Sequence, residues 1–139
     1  IELNYDCMKD ILIYLSDNLG YEYDKRTPRL MTISWYKLYT NEDLLKTYRD
    51  DEILYNLKKL YEANLISAIY VENPNSRTIE RFDVVDITLN GYNFLNNASN
   101  QTIWNKAKNR VAQLGNVALP IFVNLLMEEG ANLISSKLL

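Results

Sequence analysis

Histidine is absent from the 139 residues, and cysteine occurs once, at Cys7. Without an imidazole, no Ser-His-Asp or Cys-His arrangement and no His-ligated zinc can be assembled. One thiol cannot close an internal disulfide, which fits a reducing compartment. Glycine is scarce, and Gly20, Gly91, Gly115 and Gly130 lie far apart, so no glycine-rich phosphate loop exists. A positive excess is also missing: 15 basic residues face 18 acidic ones, for a net charge of −3. Phosphate neutralisation supplies much of nucleic-acid affinity, so a DNA reading has to rest on local patches. No uninterrupted run of about 20 apolar residues is present, which speaks against a membrane span. The sequence starts at Ile1 and not at a methionine, which reads as a trimmed start. No signal peptide is expected ahead of it, and a cytoplasmic location is the expectation.

Hydrophobic residues make up 47% and charged residues 24%, a balance that buries a core rather than staying disordered. Eleven tyrosines are many for this length, and each can serve core, interface or stacking surface. Met8, Ile11, Leu12, Leu15 and Leu19 recur at helical spacing behind a cap at Asn4 or Asp6, and Gly20 closes that helix. Tyr21 to Pro28 reads as a polar loop. Leu30 to Tyr39, with Thr32, Ile33, Trp35 and Tyr36, reads as a short strand. A helix of about two turns follows over Glu42 to Tyr48. The next helix opens at Asp50-Asp51 and buries Ile53, Leu54, Leu57 and Leu60, leaving Glu52, Tyr55, Asn56, Lys59 and Glu62 on its outer side. Asp50-Asp51-Glu52 could in principle hold magnesium, but carboxylates at a helix start cap its amides and complement its dipole, and that reading prevails. Asn64 suits a left-handed C-terminal position. Ile66–Glu72 and Ile79–Ile87 read as a hairpin around the turn cluster Asn73-Pro74-Asn75-Ser76. Phe82 and Val84 have one parity and Val85 and Ile87 the other, a conflict that a bulge resolves. Thr88 caps a further helix with Phe94 and Leu95 as core plugs.

The order helix, strand, short helix, helix, hairpin, helix is that of a winged helix-turn-helix. The expected class is therefore α+β, mostly α with a small β-hairpin: a winged-helix-like domain over residues 1–97 and two added helices over 98–139. The first added helix is capped by Thr102 and runs through Leu114, ending at Gly115-Asn116. The second runs from about Ala118 to Leu138, with Pro120 tolerated in its first turn. Asn124, Glu128, Asn132 and Ser135 make a narrow polar stripe on it, and apolar residues fill the rest. So much apolar surface implies a partner, and a homodimer is the first choice, through Leu119, Phe122, Val123, Leu126, Leu133 and Ile134. Complete burial within one chain is the alternative. Glu128 and Glu129 in mid-segment, and the lack of a basic polar face, count against a membrane.

Several stretches resemble a known family. They are Leu3-Asn4-Tyr5-Asp6-Cys7 leading into Asp10-Ile11-Leu12; Ile53 to Leu60 with Glu62-Ala63-Asn64-Leu65-Ile66; Asp86 to Gly91 with Phe94-Leu95; Trp104 to Lys108; and Leu114-Gly115 with Leu119-Pro120-Ile121. Together they resemble the short hypothetical proteins of phages and prophages of Gram-positive bacteria grouped as domain of unknown function 2513. The resemblance implies a phage or prophage origin and a bacterial cytoplasm. It brings no catalytic residue and no ligand.

Two functions compete, and neither is enzymatic, because no catalytic constellation is present. The first is a homodimeric DNA-binding regulator. Tyr55, Asn56 and Lys59 would enter the major groove of double-stranded DNA, Asn56 reading adenine, and Arg77 and Arg81 would touch phosphate. A C-terminal helix that dimerises a winged helix resembles the plan of PadR-like regulators. Against this, the helix start is acidic. The second is a protein-binding phage accessory factor that antagonises a host defence or replication protein, a use suited to mild acidity and exposed tyrosines. No cofactor and no metal are expected. Lys25, Arg26, Arg29 and Lys37 form a basic cluster, as do Lys106 and Arg110, each read first as solvated charge.

Overall fold

The structure, a computed structural model, describes residues 2–115 and 119–138. The fold is α+β, in two compact units, Ile1–Thr88 and Leu89–Leu139.

The first unit opens with helix α1 (Tyr5–Asn18). Of the two expected caps, Asn4 is the one used: its Oδ1 accepts from the Cys7 amide at 3.0 Å. Cys7, Met8, Ile11, Leu12 and Leu15 are fully buried at helical spacing. Strands β1 (Tyr21–Asp24) and β2 (Thr27–Leu30) then form an antiparallel hairpin. The expected polar loop is thus a paired ribbon. Its two-residue turn places Lys25 at φ 47° and Arg26 at φ 74°. Left-handed backbone at both central positions matches the twist of the flanking strands, and neither residue is the usual Asn or Gly.

Strand β3 (Ile33–Ser34) is only two residues long, and helix α2 (Trp35–Tyr39) follows at once. The expected strand over 30–39 is corrected here. Its aromatic composition favours β structure, yet Ser34 caps a helical turn, and Tyr39 meets Trp35 and Tyr36 edge-on at centroid distances of 5.4 and 5.5 Å. Contacts at i+3 and i+4 override the propensity.

Helices α3 (Glu42–Leu45) and α4 (Asp50–Glu62) come next, followed by β4 (Ile66–Glu72) and β5 (Ile79–Ile87). Helix α4 ends on Asn64 at φ 60°. The Leu65 amide reaches the Leu60 carbonyl at 3.0 Å and the Asn64 amide reaches that of Tyr61 at 3.0 Å, the paired bonds of a Schellman close. The sheet order is β3-β5-β4, antiparallel throughout. Between Ser67, which faces Asp86, and Ala68, which faces Val84, the register shifts and leaves Val85 as the extra residue. This bulge puts Phe82, Val84 and Ile87 together in the core, as the parity conflict required.

The described residues of the second unit form three helices, α5 (Leu89–Ala98), α6 (Gln101–Leu114) and α7 (Leu119–Leu138). Asn100 caps α6 through its Oδ1, 3.1 Å from the Ile103 amide, so the expected cap Thr102 lies inside the helix. Phe94, Trp104 and Phe122 meet at centroid distances of 5.3 to 6.2 Å. Phe94 therefore plugs a core shared with α6 and α7. This helix lies in the compact unit Leu89–Leu139. Asn116 and Ala118, named above as helix ends, lie outside the described residues. Among the described residues no helix is long and apolar enough to cross a membrane.

Candidate interaction surface

Helix α4 occupies the position where the first sequence reading places a groove-entering helix. Its start is acidic: Asp50 is exposed, and Asp51 and Glu52 are half-buried. Arg49 turns onto Asp51 at 2.9 Å and leaves the helix start without a free cation of its own. Lys59 pairs with Glu62 at 2.9 Å and lies over the Tyr55 ring at 5.2 Å. The hydrogen bond to Glu62 holds the Lys59 ammonium above its ordinary pKa. Tyr55 and Lys59 therefore share one face, but as a pair already engaged with an acid.

Asn56 does not belong to that face. It has no exposed surface. Its Oδ1 accepts from the Asn4 amide at 2.9 Å and its Nδ2 donates to the Glu52 carbonyl at 2.9 Å. Asn4 in turn donates to the Glu52 carboxylate at 3.2 Å. The expected adenine reader is a polar latch between α4 and the cap of α1. Its place in the stripe of Ile53, Leu57 and Leu60 gives the reason: the position faces inward, and the amide is satisfied there.

On the β4–β5 hairpin, Arg81 pairs with Asp83 at 2.7 Å. Arg77 sits at the exposed tip, at φ 59°. Lys58 lies over the Tyr70 ring at 5.9 Å, beside Tyr61, which stacks on Tyr70 at 5.4 Å. The first unit as a whole has eleven basic and sixteen acidic residues, a net charge of −5.

The residues missed from sequence lie on the β1–β2 hairpin. Tyr21 and Tyr23 are 64% and 73% exposed, on the same face as their cross-strand partners Leu30 and Pro28. The opposite face has Glu22 paired with Arg29 at 2.6 Å. Exposed Tyr36 on α2 adds a third ring. The signal was available: Tyr21/Tyr23 and Thr27–Leu30 are separated by the two residues a tight hairpin needs. A turn without glycine or asparagine concealed it.

The chemistry of nucleophiles and metals is limited. Cys7 is fully buried, and burial, with Glu52 and Asp10 adding repulsion, pushes its thiol up to about 12. Tyr48 donates to Asp10 at 2.6 Å, and burial foremost raises its phenol well above the usual range. Among the described residues no group of three or more Cys, Asp or Glu side chains is placed to hold a metal ion.

Of the expected dimer residues, Leu119, Phe122 and Leu126 are buried and unavailable to a second chain. Val123 and Leu133 are half-buried, and Ile134 is 62% exposed.

No curated protein and no solved structure matches the chain. A family model described as hypothetical protein (DUF2513) matches residues 2–117. That match takes in every element from α1 to α6, and the chain belongs to the DUF2513 family of hypothetical proteins.

Proposed function

We propose that this chain is a non-enzymatic binding protein whose first unit uses a winged-helix-like arrangement to grip another protein. The arrangement is supported by the order α1, β3, α2, α3, α4, β4, β5 and by the sheet order β3-β5-β4. One observation carries the choice of partner: the helix in the recognition position is acidic at its start, its asparagine is sealed inside, and its lysine is tied to Glu62. A surface of that kind repels phosphate. Exposed Tyr21, Tyr23 and Tyr36 supply the large, low-entropy anchors that protein interfaces favour. A phage accessory factor acting on a host protein is the biological form of this reading.

The exposed tip residue Arg77 favours a second reading, in which the β4–β5 hairpin touches the phosphates of duplex DNA. A gel shift on random duplex and on the upstream region of the chain's own gene, from low to physiological salt, separates the two. The protein reading expects no shift even at low salt. A shift that weakens steeply with salt, and is lost in Arg77→Glu, overturns it.

A further inference from the structure

We propose that the chain pairs with a second copy of itself through α7, as an antiparallel two-helix contact along a stripe that its own core leaves uncovered. The contact lies in the second unit and does not rest on the protein-partner reading of the first.

Helix α7 has two apolar faces. Leu119, Phe122, Leu125, Leu126 and Gly130 are buried and form the first. The second consists of Val123, Met127, Ala131, Ile134 and Leu138, spaced by 4, 4, 3 and 4 residues, which keeps them in one line on a helix of 3.6 residues per turn. Exposure along it grows toward the C-terminal end: Val123 is half-buried, Met127 44% exposed, Ile134 62% and Leu138 81%. None of the five residues is charged, so two copies can meet along it without burying a charge.

The line is close to palindromic, which identifies the occupant. Reversed about a point beside Ala131, Met127 falls opposite Ile134 and Val123 opposite Leu138. Large side chains then meet large ones, and the small Ala131 lies at the twofold axis, where two helices approach closest. A lipid surface suits the stripe less well, because its polar flank of Asn124, Glu128, Asn132 and Ser135 is acidic and the last turn adds Lys137 as a single cation.

The size of the stripe sets the strength of the contact. From Val123 to Leu138 the helix rises about 23 Å, and at a width of about 10 Å this gives a footprint of roughly 230 Å² per copy. A standard stable interface covers about 800 Å² per partner, so the dimer is weak and concentration-dependent.

Sedimentation velocity of the full chain, from about 10 μM to 1 mM, covers the range of a weak dimer and tests this. The expected result is a mass that rises toward the dimer, and that stays monomeric in Ile134→Glu/Leu138→Glu with an unchanged circular dichroism spectrum. Both residues are exposed, so the fold tolerates the change. Register is read by oxidative cross-linking. Ala131→Cys is expected to give a disulfide-linked dimer. Met127→Cys alone is not, because it faces Ile134 of the second copy. Cys7 is buried and stays out of the reaction. A chain that is monomeric throughout, a dimer that survives the double glutamate variant, or cross-linking through Met127→Cys as efficient as through Ala131→Cys each overturns the proposal.

Discussion

Replacing Asn56 by alanine distinguishes a latch from a ligand reader. In the structure its side chain makes two hydrogen bonds of 2.9 Å, one to the Glu52 carbonyl and one from the Asn4 amide, 52 residues away in sequence. Each is worth about 1 kcal/mol net. The Glu52 carbonyl keeps its place in the helix, but the Asn4 amide is left part-buried without an acceptor, which adds about 1 kcal/mol or more. The expected loss is therefore about 2–3 kcal/mol. For a unit of this size that lowers the midpoint of thermal unfolding by roughly 10–20 °C. Urea and thermal unfolding followed by circular dichroism measure it. Asn4 also caps α1 with its own Oδ1, and Asn4→Ala removes that cap and the bond to Glu52 while leaving its backbone amide donating to Asn56. An Asn56→Ala protein within about 0.5 kcal/mol of the parent, a change typical of surface sites, refutes the latch.

Four further outcomes follow from three other places in the fold. Cys7 should resist aromatic disulfide reagents in the native chain at pH 8 and react at the rate of unfolding; prompt labelling would show the thiol accessible. Its folded pKa of about 12 lies above the reference value of 9.0, so the neutral thiol is the form the fold favours. That contribution is intact below pH about 9 and is lost as pH rises toward 12, and a Cys7→Ala variant should show a shallower alkaline decline in stability. Changing Lys25-Arg26 to Asn-Gly should stabilise the β1–β2 hairpin by about 1–2 kcal/mol, because both positions have positive φ. Amide exchange at Tyr21 and Tyr23 reads this, and unchanged or faster exchange contradicts the turn assignment. At Gly130 an added Cβ would run into Oδ1 of Asn97. Gly130→Ala should displace that amide from its 3.0 Å exposed bond to the Asn93 carbonyl, and alanine's helix propensity of about 1 kcal/mol should offset the loss, leaving thermal unfolding within a few degrees of the parent.

What the sequence discloses depends on whether position or residue type governs the outcome. Periodicity placed Met8, Ile11, Leu12 and Leu15 on the buried face of α1 and Ile53, Leu57 and Leu60 on that of α4, while Leu19 and Leu54 are only half-buried, and strand parity pointed to the bulge now found at Val85. At Asn56 position outweighs polarity. It lies three residues after Ile53 and four before Leu60, on the inward line of the helix, and a polar residue at such a place is a candidate for a satisfied internal bond. The segment 30–39 failed in the opposite way. Aromatic composition suggested a strand, but a serine cap and ring contacts at helical spacing decided it. At the first hairpin the two-residue spacing was present without the turn residues that usually mark it, because lysine and arginine take up the left-handed backbone there.

The width of the apolar surface on α7 was legible, but the division of that surface between core and solvent was not, because it depends on the lengths of the neighbouring helices. Helix α6 has 14 residues and α7 has 20, about 21 and 30 Å. A helix that outruns its neighbour by some 9 Å cannot bury its last turns on it. The buried set accordingly ends at Gly130, and Ile134 and Leu138 lie beyond. Arg110 holds the packed half by pairing with Glu128 at 3.3 Å and Glu129 at 3.2 Å, just before the point where burial stops. The expected interface residues Leu119, Phe122 and Leu126 belong to that packed half. Apolar side chains on the overhang add nothing to the packing of α7 on α6, and the pairing proposed above is what would cover them.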